Sequence, residues 1–198
     1  EMIEMCRAKY AASPQDLKMI DKFEQTYQEA DAIKWYTTDS FLYRLIHEAL
    51  RTENIDCIFK LRYYIQDLHN QLAYEQRRYL ASLPSSTDAL NLYRGQRMTC
   101  EALEKWGQNV GETVSMNSFL STTNDCEAAV FFAGDCSLND PDQEVSVLYQ
   151  ITVDLRTSHS IPFAPIQYAS IFKDEDEVLF SMAAVFKITA VEQYGSLW

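Results

Sequence analysis

The sequence predicts an α+β fold, with helices first and a mainly antiparallel β core after them, and three observations carry that expectation. Helical periodicity fills the N-terminal half, short alternating β-type runs fill the C-terminal half, and a Pro-, Ser- and Asp-bearing stretch divides the two. The 198 residues, 47% of them hydrophobic and 13% aromatic, suffice for one compact unit or two closely packed subdomains with a sizeable core.

The helical half is clearest between residues 38 and 80. Phe41, Leu42, Leu45, Ile46 and Ala49 recur at helical spacing, with Thr38 or Asp39 placed as the N-cap. Ile58, Leu61, Ile65, Leu68 and Leu72 continue with steps of three and four, which predicts a second helix packed on the first. His47 and His69 fall near the polar sides of these helices, as ordinary boundary residues. "LPSSTDALN" (83–91) reads as the connecting loop. Beyond it come "NLYRG", "TVSMNSFLS" and "VSVLYQITV", the last alternating through Val145, Val147, Tyr149 and Ile151. "EVLF" and "AAVFKITAVEQYG" follow, and two short helices are expected near 99–106 and 125–133.

Composition narrows the function classes. A formal charge of −12 argues against a generic nucleic-acid binder, which must neutralise phosphates with Lys and Arg. No run is apolar enough to span a membrane, and no secretory signal pattern opens the chain. The first residue is glutamate, which fits a piece excised from a longer, multidomain protein. Cys6, Cys57, Cys100, Cys126 and Cys136 show neither a disulfide framework nor zinc-ligand spacing, so reduced thiols in a cytoplasmic setting are the plain expectation. The five glycines form neither a dinucleotide fingerprint nor a P-loop, and the three histidines have no Ser or Cys in a nucleophile setting.

What remains are polar groups on or beside predicted strands. Arg94, in "LYRGQ", stands within a strand and needs an anionic partner, either a core carboxylate or a bound phosphate that suits its planar fork. Gly95 beside it permits close approach to the backbone. Ser121 follows a strand ending in Phe119 and Leu120, while Asn124 and Glu127 form a capping-box-like start for the next helix, with Thr122 or Thr123 as competing caps. In "IFKDEDEVLF" (171–180), Glu175 and Glu177 share one face of an extended chain, with Cα atoms roughly 6.5 to 7 Å apart. Two such carboxylates can divide labour in glycosyl transfer, one stabilising an oxocarbenium ion and the other orienting a nucleophile; alternatively the four acids form a solvated turn.

Taken in order, "LYRG", "SFLSTT" and "EDEVLF" resemble the arginine–serine–glutamate signature of the arginine-specific mono-ADP-ribosyltransferases, over about half the chain (92–180). The resemblance implies a single domain over 1–198, with a helical lobe about 15–82 and, about 88–198, a β-sandwich core of two perpendicular sheets. It implies transfer of ADP-ribose from NAD to an arginine of a target protein, with release of nicotinamide and no metal. By resemblance, Arg94 grips a phosphate of NAD, the Gly95 backbone bonds the nicotinamide amide, and Ser121 braces Glu177. Glu177 bonds the ribose and stabilises positive charge, and Glu175 marks arginine as the acceptor. Tyr168 or Phe172, in "IQYASIFKD" (166–174), supplies an aromatic contact to the target, and Phe131 or Phe132 stacks near nicotinamide. The family's Ser-Thr-Ser is here Ser121-Thr122-Thr123, a departure that keeps the last hydroxyl.

Overall fold

The computed structural model describes residues 1–134, 144–157, 161–170 and 176–198. In chain order the helices are α1 Met2–Lys9, α2 Pro14–Thr26, α3 Ala32–Thr37, α4 Phe41–Arg51, α5 Ile55–Ser82, α6 Cys100–Gln108 and α7 Cys126–Ala133. The strands are β1 Ala89–Thr99, β2 Thr113–Met116, β3 Leu120–Thr123, β4 Glu144–Asp154, β5 Phe163–Pro165, β6 Glu177–Phe180 and β7 Ala184–Lys187. The chain divides into two compact units: Glu1–Ala81 with Pro162–Glu175, and Ser82–Ile161 with Asp176–Trp198.

The first unit is helical from Met2 and holds the short strand β5, which the sequence patterning did not mark. Three of its helix starts have a side-chain cap. Ser13 Oγ accepts from the Asp16 N–H at 3.3 Å ahead of Pro14, whose fixed φ suits the first helical position. Asn54 Oδ1 accepts from the Cys57 N–H at 3.0 Å and starts α5. The cap of α4 is Ser40, not Thr38 or Asp39. Ser40 has extended backbone and its Oγ accepts from the Leu42 N–H at 3.3 Å. Thr38 instead donates to the Lys34 carbonyl at 2.7 Å, and Asp39 faces Arg44 at 3.4 Å.

The core of this unit is aromatic. Phe23 meets Tyr27, Trp35, Phe41 and Tyr64 with ring centroids 4.4 to 6.1 Å apart. Phe41, Leu42, Leu45, Ile46 and Ala49 are buried as their spacing requires, the four large side chains contributing about 1.5–3 kcal/mol each. The inward stripe of α5 is Cys57, Leu61, Tyr64, Leu68 and Leu72; Ile58 and Ile65, expected in it, are only half-buried. Tyr64 takes the place because its hydroxyl reaches the Ala32 carbonyl at 2.8 Å while its ring fills the core. His47 accepts or donates a 3.0 Å bond with the Tyr36 hydroxyl at the boundary of the same cluster.

The second unit is built on β1. Its strands lie in the order β4-β1-β3-β6, all antiparallel, and β2 pairs with β7 in a separate two-stranded sheet. "TVSMNSFLS" therefore breaks into two strands that join different sheets. The outer side of β4 is covered by the chain's own end: the Leu148 N–H donates to the Trp198 carbonyl at 2.8 Å, and the Trp198 N–H to the Ser146 carbonyl at 3.0 Å. An exposed edge would otherwise offer unpaired donors and acceptors to other chains. Cys6, Cys57, Cys100 and Cys126 are free thiols, and burial pushes Cys6 up to about 11; Cys136 lies outside the described residues, as does His159.

Candidate active site

The site residues of the second unit are organised by two ladders. Between β3 and β6 the register sets Leu120 against Phe180, Ser121 against Leu179, Thr122 against Val178 and Thr123 against Glu177. Directly opposed residues of antiparallel strands share a face, and so do residues two apart. Glu177, Thr123 and Ser121 thus occupy one face, with Glu177 half-buried. Thr122 and Val178 are buried on the other, where the Thr122 hydroxyl donates to the Val178 carbonyl at 2.7 Å. The hydroxyl directly across from Glu177 is that of Thr123, and Ser121 lies on the diagonal. Thr123 Oγ1 also accepts from the Asp125 N–H at 3.0 Å.

Asp125, rather than Asn124 or a threonine, caps α7: its Oδ1 accepts from the N–H groups of Glu127 at 2.9 Å and Ala128 at 3.2 Å. The cap is displaced by one residue, because Asp125 has the extended backbone a cap needs and Thr122 and Thr123 are committed to the strand, and the expected capping box is lost, since the residue three places on is then Ala128.

Between β1 and β3 the ladder is short. Its recorded register pair is Tyr93 with Thr123. One residue further along β1, Arg94 turns its guanidinium into the seam: Nη1 donates to the Ser121 carbonyl at 2.8 Å, and Nε to Gln96 Oε1 at 3.2 Å. Gln96 is itself fixed, since its Nε2 donates to the Tyr149 hydroxyl at 3.1 Å. Tyr149 is held beside Trp106, ring centroids 5.2 Å apart, and burial pushes its phenol up to about 12 despite the opposing pull of Arg94. Sequence reasoning offered Arg94 a carboxylate or a phosphate. The structure gives it a carbonyl and an amide, and among the described residues no carboxylate pairs with it. Neutral acceptors leave the positive charge uncompensated, and a guanidinium has five N–H donors, so capacity for an anion remains.

Gly95 has a structural use that was not foreseen. A Cβ there would lie 1.7 Å from the Ala129 carbonyl oxygen and 2.5 Å from the Ala133 nitrogen, so α7 packs directly on the β1 backbone. Ala129 and Ala133, both fully buried, form the matching surface. That packing turns Phe131 and Phe132 outward, 82% and 68% exposed, with their rings edge-on at 6.1 Å. Exposed aromatic pairs of this kind suit stacking on a planar ring.

The first unit places Tyr168 in a turn at 81% exposure. Glu175 and Phe172 lie outside the described residues, and Asp176, just ahead of β6, is exposed. Gln96 was not singled out from the sequence, Tyr149 was read only as a strand residue, and Thr123 only as a competing cap and as the departure from the family's Ser-Thr-Ser. For Gln96 the signal was alternation, since it lies two residues from Arg94 and so on the same face of β1. Among the described residues no helix is long and apolar enough to cross a membrane, and no group of His, Cys, Asp and Glu is placed to hold a metal ion.

Comparison with known structures gives the same fold. The chain is similar to Vis toxin, an ADP-ribosyltransferase from Vibrio splendidus, at 23% identity and TM-score 0.55 over 87% of this chain and 70% of that one. It is also similar to Plx2a, an ADP-ribosyltransferase toxin from Paenibacillus larvae (17%, TM-score 0.55, 96% and 92% of the two chains). A third is HopU1, an ADP-ribosyltransferase of Pseudomonas syringae (18%, TM-score 0.53, 93% and 79%). No curated protein matched the sequence. The family model for NAD:arginine ADP-ribosyltransferases (ART) matches residues 1–198, the whole chain. With that match added to the shared α+β fold, the chain belongs to the NAD:arginine ADP-ribosyltransferase family and is an NAD-dependent ADP-ribosyltransferase.

Proposed function

We propose that the chain transfers ADP-ribose from NAD to the guanidinium of an arginine on a target protein. The observation that carries this reading is the seam at Arg94: a fixed, half-buried guanidinium with no carboxylate partner among the described residues, two strands from Glu177 and next to the strand bearing Ser121. In this reading Arg94 takes a phosphate of NAD, and Gly95 and Phe132 lie beside nicotinamide. The bond between the ribose carbon and nicotinamide breaks, its electron pair leaves with nicotinamide, and Glu177 stabilises the oxocarbenium-like charge, braced by Ser121. An arginine nitrogen of the target then bonds to the ribose carbon and gives up a proton. Glu175 orients that nitrogen, with Tyr168 or Phe172 as the aromatic contact to the target. Support for the acceptor class comes from the family model and from Vis, which has been solved in complex with agmatine.

The test is incubation with labelled NAD and either agmatine or arginine-containing proteins, following nicotinamide release and label transfer separately. Label is expected on the arginine acceptors, and Glu175→Gln is expected to lose that transfer while still releasing nicotinamide. Release of nicotinamide without transfer by the unmodified chain would make it an NAD glycohydrolase and remove the proposed acceptor.

A further inference from the structure

The register that places Glu177 also places a tyrosine. Tyr93 of β1 stands directly opposite Thr123 of β3, and Thr123 directly opposite Glu177 of β6. Directly opposed residues share a face, so Tyr93 and Glu177 lie on one face with Thr123 between them. On its other side Tyr93 faces Gln150 of β4, and a row of amide, phenol, hydroxyl and carboxylate crosses four strands. At a strand spacing of about 4.8 Å, the backbones of Tyr93 and Glu177 are about 10 Å apart. The short Thr123 side chain floors the slot between the two longer ones, and all three residues are half-buried. Thr123 Oγ1 accepts from the Asp125 N–H at 3.0 Å, which leaves its own O–H to donate. Among the described residues the Tyr93 hydroxyl makes no hydrogen bond. Two residues along β1 on the same face, Gly95 is covered by α7, so the helix that carries Phe131 and Phe132 borders this row.

We infer, on the reading of Glu177 given under the proposed function, that Tyr93 is a further substrate-binding residue whose phenol donates to the nicotinamide-side ribose of NAD. Glu177 stabilises the ribose carbon that becomes positive, so it takes the hydroxyl next to that carbon, the 2′-hydroxyl. Tyr93, across the slot, takes the neighbouring 3′-hydroxyl. The chemistry of the row selects a sugar over the acceptor arginine. A vicinal diol both donates and accepts, which matches two O–H donors set beside a carboxylate. A guanidinium has five donors and no acceptor, and would leave the O–H groups of Tyr93 and Thr123 without one. The phenol thus fixes the far side of the sugar while the carboxylate works on the near side.

Nicotinamide release by Tyr93→Phe and by the unmodified chain tests this, with NAD and with an NAD analogue lacking the 3′-hydroxyl of the nicotinamide-side ribose. The Phe variant keeps the ring and its packing, and an unchanged melting temperature verifies its fold. With NAD, Tyr93→Phe is expected to raise KM about fivefold at little-changed kcat. With the deoxy analogue the two proteins are expected to agree within about twofold, because the bond is already gone. KM for agmatine as acceptor is expected to stay where it was. An unchanged KM for NAD overturns the inference. So does an equal loss on both nucleotides, which would make the hydroxyl merely structural, and so does a raised KM for agmatine alone, which would put the acceptor in the slot. Glu177→Gln, assayed alongside, separates this inference from the reading beneath it. Near-normal turnover in that variant, or no turnover by the unmodified chain, removes both. A large loss in Glu177→Gln with a silent Tyr93→Phe removes Tyr93 alone.

Discussion

Strand β1 has two seams, and they differ along the same 11 residues. Toward β4 the register runs unbroken from Ala89 against Asp154 to Thr99 against Glu144. Toward β3 it is recorded at Tyr93 against Thr123, and beyond that point the Arg94 guanidinium, not a backbone N–H, reaches the Ser121 carbonyl. A closed ladder satisfies its own donors and acceptors and has nothing left to offer a ligand. An open seam must fill its gap with side chains, and here the filler is a cation. The lesson is that one strand serves as scaffold on one side and, in the function proposed above, as a binding edge on the other. The division falls where Tyr93 gives way to Arg94 and Gly95.

The largest effect expected from this division concerns Glu177, whose position opposite Thr123 is set by the β3–β6 ladder. Glu177→Gln keeps shape and removes charge, so kcat is expected to fall on the order of 10³-fold with NAD binding retained. Near-normal turnover would move the chemistry off this carboxylate altogether. Gly95→Ala comes next and strikes the closed side. The added methyl meets backbone atoms of α7, not movable side chains, so a loss of about 2–3 kcal/mol or more is expected. For a chain of this size that corresponds to a melting temperature lower by roughly 5–10 °C. Unchanged melting would mean that α7 does not rest on β1 at Gly95. Arg94→Lys is smaller. Lysine can supply the charge but not the fork that holds a carbonyl and an anion together, so KM for NAD is expected to rise about tenfold with kcat little changed. An unaltered KM would make Arg94 only a filler of the seam.

Much of this was legible from residue patterning, and the failures share a cause. Helix and strand types were readable because apolar spacing reports which face is buried. The caps at Ser40 and Asp125 were each missed by a residue or two, because several Ser, Thr and Asp residues stand side by side and any can cap until the backbone chooses. "LYRG" marked Arg94 and Gly95 correctly as unusual, but not how they are used. The carbonyl that receives Arg94 and the helix that needs Gly95 come from 27 or more residues away, and local spacing carries no trace of them. The bond between Gln96 and Tyr149 was invisible for the same reason, since it spans 53 positions.

That remote bond gives the smallest and most discriminating test of the comparison. Tyr149 belongs to β4, on the closed side, yet its hydroxyl accepts from Gln96, which accepts from Arg94 in the open seam. If the closed ladder steadies the open edge, Tyr149→Phe should loosen Gln96 and, through it, Arg94. One neutral hydrogen bond contributes about 0.5–1.5 kcal/mol, and only part of it is transmitted, so KM for NAD is expected to rise about threefold at unchanged kcat. The same residue has a pH signature. Its phenol ionises near 10 when unfolded and is pushed up to about 12 by burial in the fold. The folded state therefore binds the proton more tightly, and the resulting stability is present below pH 10 and lost as pH rises from 10 to 12. Wild type is expected to lose stability more steeply than Tyr149→Phe across that interval in denaturant titrations. A KM shift without the alkaline difference would show that the hydroxyl steadies Gln96 from a wetter place than the Trp106 side of β4. The alkaline difference without a KM shift would show that the two seams of β1 act independently.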